Sequence, residues 1–423
     1  IISALILGGC GSDAPQSTSE TAQPGAGAVA YTGAAIWDGT GSALQNDATL
    51  LVRDGRIEGI VQEVPAGAES IDLSRRFIVP GFINTHGHVS GRWADDNIED
   101  ISERVRGDLS LYARYGVTSV LSLGDAPNEA LAIRDAQTSA DLAHARVYVA
   151  GEVVAGNTAG EATAVAARNL NNGVDWLKLR VDDNLGNGTR MPPTAVQVAI
   201  DAAKAANVPV ATHIFYLDDA AQLLTMGTAL IAHSVRDQAV TDEFIQAMRD
   251  SGVCYVPTLV REVSTFVYAD RPDWFDDPFF LAGAKQSEID RVSDPAFRAR
   301  VAASPAAAAY RQALGQAQDN LRVLAGSGIP IGFGTDSGPA GRFIGYFEHL
   351  EFDLMAEAGL TAREILLSAT SVAANCIGLD DVGTLEAGKW ADFVVLTENP
   401  LADISTTRSI DAVYIAGNRV NGS

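Results

Sequence analysis

Val79-Pro-Gly-Phe-Ile-Asn-Thr-His-Gly-His88 carries an apolar run into two histidines separated by one residue. In a β-strand, residues i and i+2 point to the same face. His86 and His88 can therefore present two imidazoles to one cation, and neutral imidazole is a common ligand of zinc-like metals. Read alone, the pair also fits two ordinary strand histidines. The chain has six histidines, and His213 and His233 also fall at the ends of strand-like runs, followed by polar or loop-like residues.

Working outward, eight strand-like segments are read at 77–85, 117–123, 146–150, 176–181, 208–213, 229–233, 253–258 and 330–335. Helical stretches such as 194–206 and 242–250 lie between them. This alternation predicts an α/β fold, a (β/α)8 TIM-like barrel. Barrel enzymes build their sites at the C-terminal strand ends. His86, His88, Lys178, Arg180, His213, His233 and Asp336 all fall on or at such ends. Residues 28–80 read as all-β, with Asp54-Gly55 marking a hairpin. Residues 380–423 return to β. The expected organisation is a tether at 1–27, a small discontinuous β-sandwich from 28–80 with 380–423, and the barrel at 81–379. One long connection, 260–325, carries Phe266, Tyr268, Trp274, Phe275, Phe279 and Phe280. It reads as a lid or substrate wall, or as extra helix with the aromatics in its core.

With 423 residues, 47% of them hydrophobic, the chain can bury a large core. The net charge of −23 argues against nucleic acid or an anionic membrane surface as partner, since both require a basic face. The three cysteines are scattered and imply no disulfide framework. Cys254 and Cys376 sit in apolar surroundings and read as packing residues. Cys10 follows a short apolar run and Gly8-Gly9, resembling a bacterial lipobox, and the residues after it suit a flexible tether. This predicts an exported cell-envelope lipoprotein (periplasmic or outer-membrane side) that touches the membrane only through a lipid on Cys10.

Pro80–His88, Trp176-Leu-Lys-Leu-Arg180, Ala211-Thr-His213, Ile231-Ala-His-Ser234, Gly334-Thr-Asp-Ser337 and the tail Gly383-Thr-Leu-Glu-Ala-Gly-Lys-Trp-Ala-Asp-Phe-Val-Val395 together resemble the amidohydrolase superfamily. The closest resemblance is to imidazolonepropionase-like and prolidase-like members. It implies two divalent metal ions, zinc by default. His86, His88 and Asp336 would hold one ion, His213 and His233 the other. Lys178, carboxylated by CO₂, would bridge them. A lysine inside a barrel among cations is expected to have a depressed pKa, so its neutral amine can react. Mononuclear deaminases of this superfamily lack the bridging lysine and usually carry Glu where this chain has Tyr216, which points away from deaminase and imidazolonepropionase chemistry.

The implied reaction is hydrolysis of a C–N bond by a metal-bridging hydroxide. Asp336 would act as general base and then acid. Tyr216 would hydrogen-bond the carbonyl oxygen or oxyanion, or simply pack. Arg180 shares a strand face with Lys178 and suits a substrate carboxylate; Arg236, Arg261 and Arg342 are further rim cations, read mainly as structural ion-pair partners. The expected small-molecule substrates are X-Pro-like dipeptides or N-acyl amino acids. Cyclic amides or lactones are the alternative, and a non-catalytic envelope lipoprotein is the reading from another class. His144 and His349 are not expected to be ligands. Mass spectrometry of the native full-length protein is expected to find Cys10 lipid-modified; an unmodified Cys10 would contradict the anchor.

Overall fold

A computed structural model of the protein describes residues 27–89 and 99–420. Cys10 and its tether lie outside the described residues. Among those described, no helix is long and apolar enough to cross a membrane.

Six strands open the chain: β1 (Ala28–Ile36), β2 (Gln45–Arg53), β3 (Arg56–Val61), β4 (Glu69–Asp72), β5 (Phe77–Pro80) and β6 (Phe82–Gly87). The β2–β3 hairpin turns at Asp54-Gly55, both at positive φ, 50° and 77°, with Arg53 paired to Arg56. This is the turn geometry Asp-Gly favours. Alternating strand and helix follow, with β7 (Val117–Ser122), β8 (Arg146–Val149), β9 (Leu177–Arg180), β10 (Val210–His213), β11 (Leu230–Ala232) and β12 (Cys254–Val256). The chain closes with β13 (Phe393–Leu396), β14 (Ile410–Ile415) and β15 (Asn418–Arg419).

The two ends of the chain share one eight-stranded sheet, ordered β15-β14-β13-β5-β1-β2-β3, with β4 added to β1. The expected sandwich is therefore a branched sheet. Its branch has a local cause. The register of β1 shifts between Tyr31 and Ala34, around Gly33 at φ 74°. The start of β1 pairs with β4 and its end with β5. A bulge of this kind bends a strand and redirects its partners. Tyr31, Phe393 and Tyr414 fill the sheet's own core, with Phe393 and Tyr414 stacked at 4.5 Å.

The middle strands form two all-parallel sheets, β6-β7-β8 and β9-β10-β11-β12. Isolated parallel bridges Val154–Leu179, Tyr255–Ile331 and Gly87–Ser337 link their edges. The segment expected as an eighth strand makes no continuous ladder. It runs between β12 and β6 instead, with Gly332 N–H donating to the Tyr255 carbonyl and Thr335 N–H to that of His86. Gly334 is needed here, because a Cβ would lie 2.5 Å from Val256 and 2.9 Å from the His86 Cβ. Segment 77–85, read as one strand, is two: β5 belongs to the terminal sheet and β6 to the parallel one.

The long connection folds into helices, among them Leu259–Phe266, Gln286–Ser293, Pro295–Ala302 and Pro305–Gly326. Its aromatics pack inward. Trp274 meets Phe275, Phe280 and Tyr346 at ring distances of 4.8–5.1 Å, and Phe275, Phe280 and Tyr268 are buried. They are core, not cleft wall.

Cys254 and Cys376 form a disulfide across 122 residues, with their Cα atoms 5.7 Å apart. This corrects the reading of both as packing thiols. Sequence spacing could not reveal it, because the fold alone brings β12 against the helix Ser371–Ile377. A loop of that length constrains the unfolded chain by about 5 kcal/mol in the chain-entropy account. Cys376→Ser is therefore expected to lower the melting temperature by several degrees or more under non-reducing conditions. An unchanged melting temperature would show that the cross-link does not hold the fold.

Candidate metal centre

Four of the six histidines converge on one cleft of about 230 Å³. His86, His88, His213 and His233 line it together with Lys178, Arg180, Arg261, Asp336 and Arg342. Arg261 comes from the helix Leu259–Phe266 and Arg342 from the loop after Asp336; the others come from strand ends or the residues just beyond them. The same alternation that buries apolar side chains in the sheets turns these polar ones toward the middle.

His86, His88 and Asp336 offer one ligand atom each, all within 4.8 Å of one another. His88 Nε2 is 2.7 Å from Asp336 Oδ1, and His86 Nε2 is 3.7 Å from it. His88 Nδ1 faces the Gly124 carbonyl at 2.9 Å. A carbonyl only accepts, so Nδ1 carries a proton, and the neutral ring that a metal ligand requires has its lone pair on Nε2. In that form, Nε2 and Asp336 Oδ1 are two acceptors face to face. A cation satisfies both, and the donor set suits a divalent metal ion.

His213 and His233 lie side by side, with ring centroids 4.1 Å apart, and His233 is 4.6 Å from His86. Thr258 holds His233 Nδ1 at 2.7 Å, which makes Nε2 the ligating nitrogen this arrangement offers. Lys178 Nζ is 3.2 Å from His86 Nε2. Burial pushes the Lys178 ammonium down to about 7, against the pull of Asp336, and drives His213 to about 3. His86 and His233 are held well below the usual range by burial. Burial alone would raise Asp336, but the Arg342 guanidinium outweighs it and keeps the carboxylate ionised.

Backbone strain marks the same place. His233, Thr258 and Asp336 have φ of 71°, 49° and 57°. Non-glycine residues pay for that conformation, the β-branched Thr258 most of all, and such outliers cluster at functional sites.

A buried network supports the ligands. Glu348 accepts hydrogen bonds from Asn84 at 2.8 Å, Thr335 at 2.7 Å and Ser337 at 2.5 Å. Asn84 Oδ1 in turn accepts the His86 N–H. One carboxylate thus fixes the backbone on both sides of the Asp336 and His86 ligands.

Not every expected residue joins the cleft. The Tyr216 hydroxyl donates to Asp183 at 2.8 Å, Arg190 covers the Tyr216 ring at 3.8 Å, and Tyr216 is not among the cleft-lining residues. Its expected oxyanion role is not supported by this position. Arg236 is buried behind the cleft against Glu262. His349 is buried between Thr407 and the Tyr115 carbonyl, and His144 lies apart beside Ala145. The sequence reading missed Asp182, whose Oδ1 is 3.3 Å from His213 Nε2. Its place two residues after Arg180 on a strand end was the available signal. Glu348 carried no such signal, because only the fold brings it to Asn84.

The sequence profile of the amidohydrolase family matches residues 77–420. Imidazolonepropionase from Deinococcus radiodurans is 26% identical over 391 residues, covering 88% of this chain and 91% of that one. A 5-methylthioadenosine/S-adenosylhomocysteine deaminase from Natronomonas pharaonis is 23% identical, covering 79% and 76%. Among solved structures, a Xaa-Pro dipeptidase with bound methionine superposes with a TM-score of 0.74 at 22% identity, covering 93% of this chain and 99% of that one. These likenesses give the chain a TIM-barrel-like α/β fold. They include an imidazolonepropionase and a deaminase, the two chemistries that Lys178 and Tyr216 pointed away from.

Glu348→Gln keeps the shape of the network but exchanges one acceptor oxygen for a donor. Outer partners of metal ligands typically carry about 10–100-fold in metal affinity. Chelator competition on the zinc-loaded protein is expected to show a loss in that range; unchanged affinity would mean Glu348 serves packing only.

Proposed function

Because the chain belongs to the amidohydrolase family, with metal-dependent hydrolysis of C–N bonds as its chemistry, we propose that it is a binuclear hydrolase of X-Pro-like dipeptides or N-acyl amino acids. The observation that carries this reading is the burial of Lys178 among four histidines and Asp336 in one cleft. In this reading the two parallel sheets and segment 330–337 are the eight-stranded barrel. His86, His88 and Asp336 would hold one ion, His213 and His233 the second, and Lys178 would bridge as a carbamate. Zinc suits this donor set. Bound ions would polarise the scissile carbonyl and acidify water at neutral pH.

The chain's own residues do the rest. With a pKa near 7, a substantial share of Lys178 is neutral amine, the form that reacts with CO₂. Asp336 Oδ1 faces the histidine pair, while Oδ2 is held by Arg342. Oδ1 takes the proton of the attacking water and returns it to the departing amine nitrogen, so that water adds across the C–N bond with no net proton change at the enzyme. Arg180 stands on the cleft wall with Nε 3.3 Å from Asp182, within reach of an anionic substrate group. Export to the cell envelope with a lipid on Cys10 belongs to the same reading. The Cys254–Cys376 disulfide supports it, since disulfides persist in oxidising compartments.

The deciding experiment offers the zinc-loaded protein X-Pro dipeptides, other dipeptides, N-acyl amino acids and lactones. Chelator-sensitive release of amino acid is expected, with turnover lost on the order of 1,000-fold in Asp336→Asn while the protein stays folded. Release from lactones alone would overturn the amide reading in favour of ester-type ring opening, and near-normal turnover in Asp336→Asn would remove Asp336 from proton transfer.

A further inference from the structure

Three guanidinium groups line the metal cleft, and they are not equivalent. Arg342 is committed to Asp336. Arg180 has 45% of its side chain exposed, so solvent screens its charge. Arg261 is 7% exposed. Its Nη1 donates to both Glu262 oxygens at 3.2 Å, and its Nη2 reaches the Tyr310 hydroxyl at 3.5 Å. Its Nε is buried and has no hydrogen-bond partner among the described residues.

Glu262 also serves Arg236, whose Nε lies 3.1 Å away and whose side chain is wholly buried. Two buried guanidinium groups thus share one carboxylate as their direct ion-pair partner. Removing such a charge from water is expensive unless an anion meets it. Arg236 is turned toward the backbone carbonyls of Ile214 and Ser234. Arg261 is the member of the pair that lines the cleft.

Arg261 is also held rigidly. It stacks on the Tyr310 ring at 4.5 Å, while Arg236 stacks on Phe215 at 4.6 Å, and both rings belong to one apolar cluster with Phe266. The helix bearing Arg261 starts with the N–H groups of Leu259 and Val260 bonded to Glu351 at 2.8 and 2.7 Å. A fork fixed in advance loses little entropy on meeting a planar carboxylate.

We propose that Arg261 receives the substrate's carboxylate inside the cleft, with Arg180 as a screened cation on its wall. The identity of the substrate rests on the amide-hydrolase reading, but the anion site does not. Its backing by Tyr310 gives the long connection a role, as the support that sets how far from the metal centre the carboxylate sits.

Binding of L-proline, L-leucine and L-methionine to the zinc-loaded protein, measured by calorimetry against the matched amines lacking the carboxylate, tests this. The intact protein is expected to prefer at least one amino acid over its amine on the order of 100-fold, the range for a buried charge pair. Arg261→Met should abolish that preference and Arg261→Lys should keep part of it, while Arg180→Met should weaken it less. Removing Arg261 leaves Glu262 balanced by Arg236, so the variant is expected to melt cooperatively; if it does not, Arg261→Lys carries the test. No carboxylate preference in the intact protein, or a preference that survives in Arg261→Met, would overturn the proposal. Carboxylate preference that depends on Arg261 in a protein that hydrolyses no amide would support the assignment and overturn the reaction. Amide hydrolysis without carboxylate preference would do the reverse.

Discussion

The structure depends on keeping imidazoles and an amine deprotonated inside a buried space. Only neutral histidine and a neutral or carboxylated lysine can face a metal ion. Burial does most of this work, holding His86 and His233 well below their usual range and Lys178 near 7. Asp336 is the exception that makes the set usable. Its charge survives burial because Arg342 stabilises it. A cleft of neutral donors around one fixed carboxylate is stable only if the surrounding backbone cannot relax.

That rigidity comes largely from one helix. Tyr346–Glu357 carries three ionisable side chains that are wholly buried: Glu348, His349 and Glu351. Glu348 ties β6 to the Asp336 loop. Glu351 holds the start of the helix that bears Arg261, next to the Thr258 that orients His233. His349 bonds the Tyr115 carbonyl and anchors the helix to its neighbour. Buried polar groups of this kind cost stability unless every partner is in place, so they couple the geometry of separate loops.

Much of this was legible from the chain. His86-Gly-His88, Lys178, His213 and His233 stand at or just beyond strand ends, and the alternation of strand and helix reads them with Asp336 as one rim. Apolar runs between turn residues located most of the strands as well. What stayed hidden is what depends on three-dimensional approach. The 330–335 run looks like a strand, yet its backbone bonds to β12 and β6 without forming a ladder. Cys254 and Cys376 look like packing residues because nothing in their local surroundings encodes the other. Tyr216 has the spacing of a site residue, but Asp183 and Arg190 draw it to the outer side. The aromatics of the long connection read as lid or as core, and their packing against Tyr346 and Phe343 makes them core.

The most direct test of the metal centre is to strip the protein, dialyse it against zinc and count the ions held per chain. Two tightly held ions per chain are expected. A chain that holds none would contradict this, because a buried cluster of neutral histidines beside an ionised Asp336 would then have no cation to account for it.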